Sequence, residues 1–212
     1  YRELISFSNA SFYANGLSVP VRHPEETIRK LKPIEVVRSE GTYKSQTNQK
    51  EAADVVEYLS ELWDDPSPPS IGVVTFNRKQ ADAIEDALED RAENDEAFRD
   101  ALMRERERTE NGEDMGFFVK NVENVQGDER DVIVFSTTFG RNEHGTFRKS
   151  FGALGHAGGE RRLNVAVTRA REKVVIVTSM PISEISDLLT RRSGPRVPRD
   201  YLQGYLEYAR TV

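Results

Sequence analysis

Hydrophobic positions along the chain follow two periods that take turns. Ala52, Val55, Val56 and Leu59 recur at helical spacing between Gln49 and Trp63, with Thr47-Asn48 placed to cap the helix start. Three prolines between Asp64 and Ser70 end that helix. The apolar run Ile71-Gly72-Val73-Val74-Thr75-Phe76 then reads as a buried strand. Asn77 caps a further helix whose stripe is Ala81, Ile84 and Leu88. Phe117-Phe118-Val119 and Asp131 to Thr137 are strand-like and bracket the polar insert Gln126-Gly127-Asp128-Glu129. From Arg161 to Glu172, Leu163, Ala166, Val167 and Ala170 form one helical stripe. Val174-Val175-Ile176-Val177 has no alternation, which suits a strand covered on both faces. With Ile34 to Val37 as another short strand, the spacing predicts an α/β fold: a mostly parallel central sheet flanked by helices.

The remaining segments are less patterned. Tyr1 to Pro20 reads as a short helix followed by an Asn15-Gly16 turn, and Val21 to Pro33 as a charged connector. Asp90 to Asn111 is dense in both charge signs and reads as a solvated helical excursion. Gly140 to Gly159 is a long glycine-rich loop carrying Phe147, Arg148, Lys149 and Phe151; a loop of that length is functional or disordered, and both phenylalanines are expected to pack on the core. Arg191, Arg192, Arg196 and Arg199 make a basic, solvated tail before an amphipathic helix with Tyr201, Leu202, Tyr205 and Leu206. The expected division is one domain over residues 1–195 and a C-terminal helix or linker over 196–212.

Composition narrows the function. The 212 residues are 37% hydrophobic and 31% charged, enough for one core under a heavily solvated surface. A net charge of −6 argues against nucleic-acid binding over the whole surface, so any phosphate contact is local. Without cysteine there is no disulfide framework, thiol nucleophile or cysteine metal site. No apolar run approaches membrane length and the chain starts at Tyr1 without a signal pattern. The expectation is a cytoplasmic piece of a larger machine. No glycine is followed by lysine, so a P-loop is missing. No buried strand ends in a carboxylate pair for Mg²⁺, and His23, His144 and His156 are scattered without zinc spacing. A free-standing ATPase is not expected on those grounds.

Two stretches carry the candidate chemistry. Val125 to Asp131 places amide and carboxylate groups on a tight turn at a strand mouth, and ligands of open α/β sheets gather at strand ends. A carboxylate there can accept hydrogen bonds from ribose hydroxyls, and a glycine allows close backbone approach. The second stretch holds Arg161, Arg162, Arg169 and Arg171 within eleven residues. On one continuous helix, Arg162 and Arg169 share a flank while Arg171 and Asn164 share the other.

Taken together, Gln-Gly-x-Glu-x-Asp before an apolar strand and Arg-Arg-Leu-Asn-Val-Ala-x-Thr-Arg-Ala-Arg before another resemble motifs V and VI of superfamily 1 helicases. They are most similar to the branch related to the nonsense-mediated-decay helicase and its bacterial relatives. Val73 to Gln80 resembles that branch's Thr-Pro-Tyr-x-x-Gln segment, with Phe76 and Asn77 replacing Pro and Tyr. Phe7-Ser8-Asn9 with Phe12-Tyr13 is similar to the segment opening the second motor lobe. The family's Tyr-Arg pair in that segment does not align with Tyr1-Arg2 and is expected upstream.

That resemblance implies the second RecA-like lobe of an ATP-dependent helicase, with ATP and Mg²⁺ shared with a first lobe that holds the metal. It implies Arg169 as the arginine finger, Glu129 on the ribose, Gln126 and Gly127 shaping the nucleotide-sensing turn, Arg162 assisting and Asp131 bracing. Thr75, Asn77 and Ser136 become candidates for backbone contacts to single-stranded DNA or RNA. Implied partners are that strand, the first lobe and, in larger relatives, a nuclease-like domain after this one. The isolated piece is expected to be inactive. A remodelling ATPase that does not unwind duplexes, and a degenerate lobe acting as an interaction scaffold, stand as alternatives.

Overall fold

The computed structural model describes residues 1–17, 24–191 and 193–212, leaving aside the Arg29 side chain. Five strands run parallel in the order β1 (Ile34–Arg38), β7 (Ala170–Thr178), β6 (Arg130–Ser136), β2 (Ile71–Thr75) and β5 (Phe118–Asn121). A small antiparallel ribbon of β3 (Thr109–Glu110) and β4 (Glu113–Asp114) lies apart. Alternate strand residues serve opposite cores, which is why the strands show no polar face. Val74, Phe76, Ile133, Phe135, Val174 and Ile176 pack with α1 (Arg2–Phe12), α6 (Gly159–Val167) and α7 (Pro198–Thr211). Val73, Val132, Val134, Val175 and Val177 pack with α3 (Gln49–Trp63), α4 (Arg78–Asn94) and α5 (Glu96–Arg106).

The local signals act as expected in α3 and α4. Asn48 accepts from the Glu51 amide at 3.0 Å and Asn77 from the Gln80 amide at 2.8 Å, each satisfying an orphan donor of the first helical turn. Gly72 has a packing reason: a Cβ there would lie 2.3 Å from the ring of Phe118, its register partner on the adjacent strand β5.

Four expectations are corrected. The connector over Val21 to Pro33 contains a two-turn helix, α2 (Glu25–Leu31), closed by Lys32 in the left-handed region; residues 21–23 lie outside the described residues, as does His23. The excursion over Asp90 to Asn111 is not simply solvated, because α5 lays Phe98, Ala101 and Leu102 into the core beside Trp63. The helix over Arg161 to Glu172 stops at Val167, and Ala170 already belongs to β7. The basic tail is an ion-pair cluster: Arg191 meets Asp200 at 2.6 Å and Arg199 meets Asp187 at 2.7 Å, while Arg192 lies outside the described residues. The helix that follows is part of the main core, with Tyr205 edge-on to Phe7 and Tyr201 stacked on Phe12.

Candidate nucleotide edge and nucleic-acid edge

The two motif-bearing stretches meet at the amino-terminal edge of the sheet. β6 and β7 are neighbours, and Arg130 and Ala170 pair at their starts. The Arg130 amide donates to the Arg169 carbonyl at 3.2 Å, so the residues just before the two strands are held side by side. From Arg130↔Ala170 to Val132↔Lys173 the register slips, leaving Arg171 and Glu172 opposite the single residue Asp131. Such a bulge re-aims side chains at a strand end.

Glu129 is the focus of this edge. Its Oε1 lies 3.6 Å from Arg169 Nη1 and its Oε2 lies 3.7 Å from Arg171 Nε, one carboxylate oxygen to each guanidinium. The Arg169 side chain is 22% exposed and folds back on its own helix end. Its Nε donates to the Val165 carbonyl at 3.0 Å and its Nη2 to Thr168 Oγ1 at 3.4 Å. Val165 has one of the last carbonyls of α6, which lack helical partners and favour a cation. Glu129 is half exposed, so the carboxylate and both guanidiniums face solvent at this edge.

The turn itself is simple. The Asp128 amide donates to the Val125 carbonyl at 3.4 Å, Val125 is fully buried, and Gly127 takes the left-handed region at φ 87°. A side chain at Gly127 would meet no obstruction but would pay for that backbone. Gln126 is exposed with Gly127. Lys120 holds Asp128 at 2.9 Å. Asp131 accepts from the Ser70 amide and hydroxyl at 3.0 and 2.7 Å, so it braces β6 against the start of β2 rather than the turn.

Arg162 stands apart from this group. Because α6 ends at Val167, Arg162 and Arg169 do not share one helical flank. Its Nη1 donates to the Ala153 and Ala157 carbonyls at 3.2 and 3.4 Å, anchoring the glycine-rich loop to α6.

One residue that motif spacing did not reveal sits at the centre. Arg130 is buried, its guanidinium 5.0 Å from the centroid of the Phe118 ring. Nε and Nη2 donate to the Gly116 carbonyl at 3.0 and 2.8 Å, and Nη1 to the Glu129 carbonyl at 2.7 Å. Burial lowers its pKa, offset by Asp114 and Asp128, while the charge of Arg171 lowers it further. Arg130 therefore holds the residues before both strands, Arg169 through its amide and Glu129 through its side chain. A buried arginine beside the ring that needs Gly72 is a pairing over distant positions, with no local signature.

The nucleic-acid candidates lie at the opposite, carboxyl-terminal edge, where Thr75 pairs in register with Ser136. Six residue steps along β6 take the chain from Arg130 to Ser136, a span of about 20 Å. The 126–129 turn precedes its strand, whereas these residues end theirs, so the two candidate sets occupy opposite edges of the sheet. Thr75 and Ser136 are fully buried, with hydroxyls donating to the Asn77 carbonyl at 2.6 Å and to Glu51 at 2.7 Å. Asn77 is half-buried and donates to the Gln46 carbonyl at 3.0 Å. These three shape the edge from within. Its exposed surface carries Lys44, Arg78, Lys79, Arg148 and Lys149. Phe151 is buried against Phe139 and Phe147 packs on Phe151, as the apolar reading expected.

Among the described residues no group of three or more acidic or histidine side chains is arranged to hold a metal, and no helix is long and apolar enough to cross a membrane.

Residues 1–181 match the family model described as AAA domain. Over 203 residues the chain is 34% identical to a protein of Mycoplasma pneumoniae named "Uncharacterized ATP-dependent helicase MG140 homolog", covering 94% of this chain and 17% of that protein. A second relative, from Mycoplasma genitalium and named as an ATP-dependent helicase, is 35% identical over 202 residues with the same coverage. A Danio rerio protein named as helicase mov-10-B.1 is 31% identical over 146 residues, 65% of this chain and 13% of that protein. The chain thus spans about a sixth of the length of the two Mycoplasma relatives. Among solved structures, the C-terminal domain of a possible DNA helicase from Lactobacillus plantarum matches with a TM-score of 0.43 and 15% identity, covering 82% of this chain and 95% of that one.

Proposed function

The chain belongs to the AAA domain family, and from that premise we propose that it is the second motor lobe of an ATP-dependent superfamily 1 helicase. In this reading the amino-terminal edge closes onto a nucleotide held mainly by a first lobe, and the carboxyl-terminal edge lies along single-stranded nucleic acid. The observation that carries it is Glu129 set between Arg169 and Arg171 on adjoining strand starts.

The donor set fits a nucleotide. Ribose hydroxyls need an acceptor, which the half-exposed Glu129 carboxylate offers; a phosphate chain needs cations, which Arg169 and Arg171 offer. When bound, ATP supplies the terminal phosphoryl group whose hydrolysis powers the motor, with Mg²⁺ held by the first lobe. Arg169 places positive charge where that phosphoryl group gains negative charge in the transition state. Its neutral acceptors, Val165 O and Thr168 Oγ1, hold the guanidinium without cancelling its charge. Gln126 and Gly127 keep the turn open beside Glu129, and Arg162 acts indirectly by fixing the loop against α6.

At the other edge, Lys44, Arg78, Lys79, Arg148 and Lys149 supply phosphate contacts on a surface shaped by Thr75, Asn77 and Ser136. A sheet about 20 Å from edge to edge lets closure on nucleotide move the nucleic-acid surface as a rigid body. The test is the Arg169→Ala variant of the full-length protein. Steady-state turnover stimulated by single-stranded nucleic acid should fall about 10³-fold or more while nucleotide still binds. Turnover kept within a few-fold of wild type would reject the finger role and favour a scaffold. The 212-residue chain alone should hydrolyse no ATP.

A further inference from the structure

A buried carboxylate organises the carboxyl-terminal edge from below. Glu51, in the first turn of α3, has no solvent exposure. Its Oε1 accepts from the Thr138 amide at 2.6 Å and the Ser136 hydroxyl at 2.7 Å. Its Oε2 accepts from the Ser179 amide at 3.2 Å and faces Asn48 Nδ2 at 3.5 Å. One side chain therefore ties together the ends of β6 and β7. Gln80 completes the network: it donates to Ser136 Oγ at 3.1 Å and to the Asn48 carbonyl at 3.0 Å, and accepts from the Asn48 amide at 2.8 Å.

Thr138 is where this network does something costly. It sits at φ 68°, a left-handed backbone that a β-branched residue takes only when its surroundings impose it. Its own hydroxyl is buried without a hydrogen-bond partner. Thr138 also begins the glycine-rich loop. Directly after it come Phe139, packed on Tyr43 and Phe151, and Gly140, where a Cβ would lie 3.2 Å from the Ser179 Cβ. The loop then turns back through Arg141, whose carbonyl accepts from the Tyr43 amide at 2.9 Å, and reaches the exposed Arg148 and Lys149.

We propose that Glu51 is a positioning residue for nucleic-acid binding: its carboxylate holds Thr138 in the left-handed conformation and so sets the path of the 139–149 loop that presents Arg148 and Lys149 to the strand. The inference rests on the carboxyl-edge reading above, and strain with an orphaned hydroxyl at the loop root is what points beyond ordinary packing. A glutamine at position 51 keeps the shape but turns an NH₂ donor toward donors that the carboxylate accepts from.

The experiment is a double-mutant cycle in the intact protein, with Glu51→Gln, Thr138→Gly and both together. Two readouts are taken: amide hydrogen exchange of residues 138–149, and affinity for a labelled 12-nucleotide single strand, as DNA and as RNA. Glu51→Gln should speed exchange in 138–149 about tenfold, leave β2 and β6 protected, and weaken the strand several-fold. In the Thr138→Gly background, where the left-handed backbone is free, the same substitution should have little further effect on exchange. Unchanged loop exchange in Glu51→Gln, equal loosening of the whole sheet, or full additivity with Thr138→Gly would each overturn the role of Glu51. A loosened loop with undiminished affinity would overturn its link to nucleic acid. Failure of the wild type to hold either strand would instead reject the carboxyl-edge reading, with loop exchange still deciding what Glu51 does.

Discussion

The backbone amide of Arg130 donates to the carbonyl of Arg169 across 3.2 Å, and this bond helps fix the separation of the 126–129 turn and the proposed finger. The Arg130 side chain then secures the same point through the Glu129 and Gly116 carbonyls. Arg130→Met keeps the apolar stem on Phe118 but strands those two carbonyls. The expected loss is about 2–3 kcal/mol of unfolding free energy, as for a charged donor removed from buried acceptors. Urea denaturation measures it. In the full-length protein the same change should raise KM for ATP, because the turn carrying Glu129 is no longer held.

Glu129→Gln separates function from stability. The Glu129 side chain is 49% exposed and its ion-pair distances are long, so screening leaves the pairs worth little. Thermal denaturation should find stability changed by no more than about 0.5 kcal/mol. Turnover of the full-length protein tells the other half: Gln retains an acceptor oxygen but no charge to hold Arg169 and Arg171 in place. A lower kcat/KM for ATP with an unchanged melting temperature is the expected pattern. A parallel loss of both would mean the pairs serve the fold.

Much of the frame could be read from residue order because its causes are local. Asn48 and Asn77 mark helix starts with their own side chains, and Val174 to Val177 declares a two-sided strand through four consecutive apolar residues. The errors arise where distant partners decide. Ala170 continues the helical stripe of Leu163 and Ala166, yet β-sheet pairing with Arg130 claims it, and the β-branched Val165, Val167 and Thr168 weaken the helix just before. Charges around Phe98, Ala101 and Leu102 hide an apolar stripe whose partner, Trp63, is far upstream. In the site, Glu129 and Arg169 were marked by their motifs. Arg130 was not, since its function depends on Phe118 and Gly116 reaching it from another strand and its approach. Burial of Thr75 and Ser136 likewise depends on Glu51, Gln80 and Asn77 closing over their hydroxyls.

Gly72→Ala tests how far the packing of β2 supports the nucleotide edge. The added methyl would lie 2.3 to 2.8 Å from three atoms of the Phe118 ring, which must move. That ring carries Arg130 at 5.0 Å on one side and Lys120 at 5.1 Å. Overpacking of this kind costs about 1–3 kcal/mol, read as a lower melting temperature. Adding Phe118→Leu should recover part of the stability by making room for the methyl. It should not recover the Arg130 clamp, so kcat/KM for ATP of the full-length protein stays low in the double variant.

Glu51 also predicts how the chain responds to acid. Burial pushes its carboxyl up to about 7, against hydrogen bonds that favour the ionised form. The groups facing it are neutral donors: Asn48 from its own helix, Ser136 and Thr138 from the end of β6, and Ser179 after β7. With a folded pKa above the unfolded one, the native state binds a proton that the unfolded chain has released between about pH 4.5 and 7. Unfolding free energy from this group therefore falls as pH rises through that window, and its contribution is fully present only below about 4.5. The size is on the order of 3 kcal/mol at most, at about 1.4 kcal/mol for each pH unit. Urea titrations at pH 5, 6, 7 and 8 should show this slope in the wild type and its loss in Glu51→Gln, whose side chain does not titrate. Identical slopes in the two proteins would place the carboxyl near its ordinary range and remove the burial argument.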